Sequence, residues 1–323
     1  MSVKVKRLTV NSLFGYKNAQ LEMFPETTVL VGNNGSGKST LLKILRSLLT
    51  NTESQELKHC VSAICELDNG MVIRYENSTI RSEKAYIKEI VNRLVSEVND
   101  VSNLIDVKSS FSDLDKKIEN IMKDSEKHYF SVRREGKIVP RKDYLKFAEK
   151  NINIEYISTI DLSAISRFSY ISAEGAESNI LNDNIKAELE MLLSCKDLKL
   201  QRAFSRVVNQ YLIDSNKKIN RRSDGFIVHC KYSGGIPIES LSSGERQLIY
   251  ILLKTANSCV RNTIMLMDEP EISLHLNWQE RLIDSIREIN PECQLIIVTH
   301  SPGIVMKGYR DIFIDVKDIV TGN

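Results

Sequence analysis

Nine consecutive residues, Gly32-Asn33-Asn34-Gly35-Ser36-Gly37-Lys38-Ser39-Thr40, carry the clearest chemistry in this 323-residue chain. They fit the spacing G-x-x-x-x-G-K-[ST], in which glycines let the loop curl until successive backbone N–H groups point inward at phosphate oxygens. From that loop Lys38 reaches the β- and γ-phosphates of a nucleotide, and the Ser39 hydroxyl is a ligand for Mg²⁺. A second set of polar groups, Asp268-Glu269, closes an apolar run that includes Ile264-Met265-Leu266-Met267. A carboxylate at such a strand end can hold the cation through water, and the next carboxylate points elsewhere, where it can orient or deprotonate an attacking water. A third run, Gln294-Leu295-Ile296-Ile297-Val298-Thr299, ends in His300.

The elements that must position these groups are legible as changes of period. Thr28-Val29-Leu30-Val31 before the loop and Leu41-Leu42-Lys43-Ile44-Leu45 after it supply the strand and helix that the phosphate-binding spacing requires. Upstream, Val3 to Val10 alternates apolar with polar, and a second strand containing Leu21 and Met23 makes a hairpin. Phe14, Tyr16 and Lys17 sit at its tip, where they either contact adenine or ribose or pack against the lobe. Val61–Leu67 and Met71–Tyr75 flank Asp68-Asn69-Gly70, a hairpin turn.

From Glu83 the period becomes helical. Ile87, Ile90, Val91, Leu94, Val95 and Val98 share one face, and Leu114, Ile118, Ile121 and Met122 repeat the pattern. The stripe is too short for a long coiled coil, so it predicts a compact helical insertion. Arg133–Lys137 and Arg141-Lys142 read as a basic, solvated loop. Ile154–Ile160 predicts a buried strand returning to the main sheet. Phe204, Val207, Val208, Tyr211 and Leu212 stripe a further helical region that ends in Lys217-Lys218-Ile219-Asn220-Arg221-Arg222, cations that either grip nucleic-acid phosphates or stay solvated. Phe226–Tyr232 and Ser233-Gly234-Gly235 read as another strand and its turn. Three stretches result: residues 1–82, the N-terminal part of a nucleotide-binding lobe; 83–150, the helical insertion; and 151–323, the rest of that lobe.

The totals exclude several classes. With 44 basic and 42 acidic residues the net charge is +2, so no global field demands a nucleic-acid partner. Six cysteines lie without repeated spacing and the N-terminus reads as charged strand, so a reduced, cytoplasmic protein is expected. His59, Cys60 and Cys65 lack the second ligand pair of a zinc site and read as ordinary buried thiols. No apolar run approaches the roughly 20 residues of a membrane span.

Leu241-Ser242-Ser243-Gly244-Glu245-Arg246-Gln247 resembles the signature motif, LSGGQ or LSSGE, of the ABC-type ATPases. Together with the phosphate loop, Asp268-Glu269 and Thr299-His300-Ser301 it stands in that family's order. Asp268-Glu269-Pro270-Glu271-Ile272-Ser273-Leu274-His275 is similar to the DEPE-x-SLH run of the RecF, SMC and OLD-like branch.

The resemblance covers residues 1–50 and 240–305 and implies an α/β fold: a P-loop NTPase with a mixed, mostly parallel central sheet, an antiparallel subsheet and helical insertions. It implies ATP and Mg²⁺ as cofactors, with Asn33 to Thr40 on the phosphates, Ser39 and Asp268 on the metal, and Glu269, Lys38 and His300 in catalysis. Ser242 and Gly244 would close over nucleotide held by a second copy of the chain, and the family's D-loop falls at Ser273–His275. The family's Mg²⁺-sensing glutamine is left unassigned among Gln55, Gln201 and Gln210.

Two functions compete. The small OLD-like ATPases of Septu, retron and PARIS anti-phage systems act with a separate toxic or nuclease partner, and the short sequence after Ser301 suits that type. The alternative is a DNA-binding repair ATPase like RecF.

Overall fold

The computed structural model describes residues 3–77, 129–158, 162, 169–171, 177–222, 225–305 and 312–322. The alternating N-terminal stretch forms β1 (Val5–Leu13) and β2 (Lys17–Glu22), an antiparallel hairpin with a register shift between Val10 and Leu13. β3 (Thr27–Val31) leads through the phosphate-binding loop into α1 (Lys38–Thr50). β4 (Ser62–Leu67) and β5 (Met71–Glu76) follow as the hairpin around Asp68-Asn69-Gly70, where Gly70 takes a left-handed φ of 80°.

The expected helical insertion is described from residue 129 onward, and there it begins as sheet. β6 (Tyr129–Arg134) and β7 (Lys137–Val139) continue the antiparallel ladder from β5, so the basic stretch predicted as loop is a strand, a turn at Glu135-Gly136 and a second strand. Paired backbone groups outweigh the polar composition here. α2 (Arg141–Asn151) then carries Arg141-Lys142, and its buried Tyr144 donates to the Leu49 carbonyl at 2.7 Å, tying it to the end of α1. The periodic segments Ile87–Val98 and Leu114–Met122 lie outside the described residues.

β8 (Asn153–Ser158) enters a second sheet, and the short β9 (Ser169–Ile171) and β10 (Glu177–Asn179) pair with each other beyond it. α3 (Ile180–Ser194) and α4 (Leu198–Leu212) form the second helical region, with the predicted stripe from Phe204 to Leu212 buried. β11 (Lys217–Arg222), β12 (Gly225–Cys230) and β13 (Gly234–Ile236) make a three-stranded antiparallel sheet. The remaining elements are α5 (Ser243–Asn257), β14 (Thr263–Asp268), α6 (Leu276–Ile289), β15 (Gln294–Thr299), β16 (Phe313–Asp315), α7 (Val316–Ile319) and β17 (Val320–Gly322).

Two large sheets result. One is wholly parallel, in the order β16-β3-β15-β14-β8, and the other is antiparallel, in the order β17-β2-β1-β4-β5-β6-β7. Successive strand residues point to opposite faces, so the parallel sheet feeds two cores. Met265, Met267, Leu295 and Ile297 pack with α3 to α6 on one side. Ile264, Leu266, Ile296 and Val298 pack with α1 and the antiparallel sheet on the other. Burial on both faces explains why these strands read as unbroken apolar runs.

The registers align the carboxyl ends of three neighbouring strands: Val31 of β3 lies beside Thr299 of β15, and Val298 beside Asp268 of β14. Open parallel sheets bind ligands at that edge.

Candidate active site

The phosphate-binding loop lies at this edge and lines a cavity of about 410 Å³. Gly35 and Gly37 take φ of 77° and 100°, a region that side chains rarely adopt, and no atom lies within 4 Å of a Cβ built on Gly35. Asn34, Gly35, Ser36, Gly37, Lys38, Ser39 and Thr40 line the cavity, whereas Asn33 contributes its carbonyl beneath the loop. Lys38 is 4% exposed, and its ammonium donates to the carbonyls of Gly32 at 2.7 Å and Asn33 at 3.1 Å. Ser36 Oγ is buried without a hydrogen-bond partner among the described residues. A buried hydroxyl, inward-curled glycine backbone and a buried cation fit a phosphate chain.

Asp268 and Ser39 meet across 229 positions of sequence, the Ser39 hydroxyl donating to Asp268 Oδ1 at 2.7 Å. A hydroxyl and a carboxylate in contact are the hard oxygen donors that Mg²⁺ takes while keeping several of its waters. Burial raises the Asp268 carboxyl above its ordinary range, and hydrogen bonds from Ser39 and Tyr156 pull the other way. The Tyr156 hydroxyl donates to Asp268 Oδ2 at 3.2 Å, while the Arg46 guanidinium stacks on its ring at 4.8 Å. Sequence reading took Tyr156 as strand filler. Its parallel register beside Leu266 puts it on the Asp268 face, which a single strand does not reveal.

Glu269 turns away from the strand with a left-handed φ of 51°, anchored by its N–H to the Val298 carbonyl at 2.9 Å. Such a conformation costs a non-glycine residue about 1–2 kcal/mol and is typical of functional turns. One carboxylate oxygen lies 3.8 Å from the Lys38 ammonium. The other accepts from the His300 backbone N–H at 3.1 Å and pairs with the imidazole Nδ1. Glu269, His300, Lys38 and Ser39, which come from three separate stretches of sequence, thus line one cavity, and Asp268 joins them through its hydrogen bond with Ser39.

One more carboxylate and its hydroxyl partner were missed at the sequence level. Glu271, 3% exposed, joins Glu269 and His300 in a cluster whose ligand atoms lie within 4.8 Å of one another, and Thr299 donates its hydroxyl to Glu271. Burial, reinforced by the adjacent Glu269 carboxylate, pushes Glu271 up to about 7. The second glutamate of D-E-P-E was the available signal.

The signature segment stands elsewhere. Ser242 is the N-cap of α5, and a capping box joins its hydroxyl and N–H to Glu245. With Gly244, Ser273 and His275 it lines a separate cavity of about 730 Å³ that shares no lining residue with the phosphate-loop cavity. Glu245 is buried, which alone would raise its pKa. The Lys217 ammonium at 2.8 Å, the Ser242 N–H and the Ser215 hydroxyl more than offset that and hold it below the usual carboxylate range.

This contact changes the reading of the Lys217–Arg222 patch. The segment is a strand, not the end of a helix, so its cations alternate between faces. Lys217 turns inward to Glu245 and Arg221 pairs with Gln201, while Lys218 and Arg222 belong to the opposite face, where Arg222 meets His229. The four cations do not form one surface.

Of the hairpin-tip residues, Phe14 lines the phosphate-loop cavity, and Lys17 lies over the Tyr16 ring instead. None of the candidate glutamines lines that cavity: Gln201 bonds to the Leu192 carbonyl and Gln210 to Arg281. Cys60 and Cys65 are buried free thiols, and burial raises both, Cys60 to about 12. No helix among the described residues is long and apolar enough to cross a membrane.

Comparison with known proteins is consistent with this geometry. The chain is similar to the Septu protein PtuA of Bacillus thuringiensis, at 23% identity over 93% of this chain and 72% of that protein. It is also similar to the "Retron Vc95 probable ATPase" of Vibrio cholerae serotype O1 biovar El Tor, at 22% identity over 92% and 70%. Among solved structures, the SMC head domain from Thermotoga maritima shares the fold with a TM-score of 0.52 and 16% identity, covering 97% of this chain and 94% of that one. The Pyrococcus furiosus Smc head bound to the C-terminal domain of ScpA gives 0.53 at 12% identity, covering 94% and 91%. The model of the family described as "AAA domain, putative AbiEii toxin, Type IV TA system" matches residues 27–306. The chain therefore belongs to that family, and its fold is the ABC-ATPase-type α/β fold of the SMC head domains.

Proposed function

We propose that the protein binds and hydrolyses ATP with Mg²⁺, that two copies enclose two nucleotides head to tail, and that this cycle controls a separate effector in an anti-phage system. The observation that carries the hydrolytic reading is the convergence of the Ser39–Asp268 pair, Lys38 and the Glu269–His300 pair at the ends of three adjacent parallel strands. Ser39 and Asp268 would hold Mg²⁺, which neutralises phosphate charge when bound. Lys38 balances charge on the terminal phosphates. Glu269 takes a proton from the attacking water, and His300 holds the carboxylate in place. General-base catalysis of this kind contributes about 10²–10⁴-fold.

The two cavities share no lining residue, which supports the dimer. A helix N-terminus with a hydroxyl and N–H donors is suited to phosphate, yet in one chain Ser242 and Gly244 face a different cavity. A second copy can supply them. Mg²⁺-dependent phosphate release and ATP-dependent dimerisation, followed by light scattering, test both parts. Absence of phosphate release would sink the enzymatic reading, and a monomer at saturating ATP would sink the sandwich.

Gly244 tests the same contact. A Cβ built there would lie 2.6 Å from the Ser273 carbonyl oxygen, backbone that cannot give way cheaply, and Ser273 itself has φ of 72°. Gly244→Ala is expected to lower ATP turnover at least tenfold while a fluorescent nucleotide still binds the monomer, because the phosphate loop is untouched.

The effector reading rests on the Septu and retron relatives and on the resemblance to ATPases that act with a toxic partner. The repair alternative loses its main support when the basic segment splits between two faces. Accordingly, Lys217→Ala is expected to cut turnover several-fold by loosening Glu245 and the Ser242 cap, with little change in the salt dependence of any DNA binding. A steep salt slope lost on neutralising Lys217, Lys218, Arg221 and Arg222 together would restore the repair reading.

A further inference from the structure

Glu271 has no role in the scheme above, yet one of its carboxyl oxygens gathers several donors at the edge. Its Oε1 accepts from three donors on one turn: the Thr299 hydroxyl, the His300 N–H at 3.3 Å and the Ser301 N–H at 3.2 Å. The His300 N–H also donates to Glu269 Oε2 at 3.1 Å, so the two carboxyl groups flank a single amide. Glu271 Oε2 is buried and accepts no hydrogen bond among the described residues. From the far side, the Ser301 hydroxyl donates to Gln279 Oε1 at 2.7 Å, which pins that end of the turn to α6.

We propose that Glu271 is a positioning residue, which grips the Thr299–Ser301 turn and thereby fixes the His300 imidazole against Glu269. The physical case is that a turn at a strand end carries backbone donors with no ladder partner, and a buried acceptor that gathers several of them leaves the turn one conformation. The imidazole is about half exposed; its Nδ1 pairs with Glu269 and lies 3.7 Å from Glu271 Oε1, so its place depends on these two carboxyl groups and on its own backbone. A neutral carboxyl meets the same need, because the donors all converge on one oxygen while the other is buried and accepts no hydrogen bond among the described residues. Burial, which raises the Glu271 carboxyl to about 7 and so favours its neutral form, agrees with this arrangement.

The inference rests on the hydrolytic reading, and the test separates the two. Turnover of the full chain is measured for wild type, Glu271→Ala and Glu271→Gln, alongside hydrogen exchange at the His300 and Ser301 amides without nucleotide. Glu271→Ala is expected to lose about 10–100-fold in kcat, the scale of a misplaced catalytic group, with KM for ATP changed less than about threefold. Exchange at both amides should quicken about tenfold or more. Glu271→Gln keeps an acceptor oxygen in place and is expected to recover most of the turnover and the protection. An alanine variant with wild-type kcat, or a glutamine variant as slow as the alanine one, overturns the proposal while leaving ATP hydrolysis intact. If wild type itself releases no phosphate, the hydrolytic reading fails, and exchange alone decides: unchanged protection in Glu271→Ala overturns the grip, and lost protection supports it.

Discussion

Glu269→Gln is expected to lower ATP turnover by about 10²–10⁴-fold while nucleotide affinity stays within a few-fold of wild type. The substitution keeps the side chain's size and one acceptor oxygen, so the contacts with the His300 N–H and the left-handed turn are retained. What is lost is the basic oxygen that accepts the water's proton. Removing a buried negative charge 3.8 Å from Lys38 also leaves more of that cation's field for phosphate, which opposes any loss of binding. The variant should therefore accumulate ATP-bound dimer, seen as a doubled mass by light scattering only when ATP and Mg²⁺ are present. Turnover within threefold of wild type would remove Glu269 from the chemical step. Slow turnover without a dimer would keep the chemistry and remove the sandwich.

Lys38→Ala is expected to act one step earlier. Truncating a buried cation that pairs with a charged group typically costs about 2–5 kcal/mol of binding, or roughly 30- to 5,000-fold in affinity. The Lys38 side chain is 4% exposed and its ammonium is held by two loop carbonyls, so its charge is poorly screened. Nucleotide titration should show the weakening directly, with turnover lost in parallel. Two carbonyls that lose their donor carry a cost of about 1–3 kcal/mol each only if water cannot reach them, and the cavity beside them is open to solvent. Thermal melting should accordingly move little. If Lys38→Ala binds ATP as wild type does, the loop is a glycine turn and not a phosphate site.

Much of this site was readable from the linear chain because its parts are locally encoded. The phosphate loop needs only neighbours: glycines at the left-handed positions and a helix start at Lys38. The Ser242–Glu245 capping box spans three residues, and the apolar runs that end in Asp268 and Thr299 announce buried parallel strands by composition. Misreadings arose where pairing partners lie far away. Arg133 and Arg134 became strand residues because β5 offers them a ladder, and Lys217 became a structural tie because Glu245 sits across from it. No window of sequence around either segment contains its partner.

The sequence by itself determined which chemical groups the protein carries and the local geometry that presents them, because loop curl, helix capping and strand alternation depend on residues a few positions apart. Only the tertiary structure decided which groups meet. Strand register and helix packing brought Ser39 to Asp268, Tyr156 to the same carboxylate and Glu271 to the His300 turn, and they left Ser242 facing a different cavity. Register and long-range packing are properties of the folded whole: a shift of one residue in β14 or β15 would turn these side chains to the opposite face of the sheet.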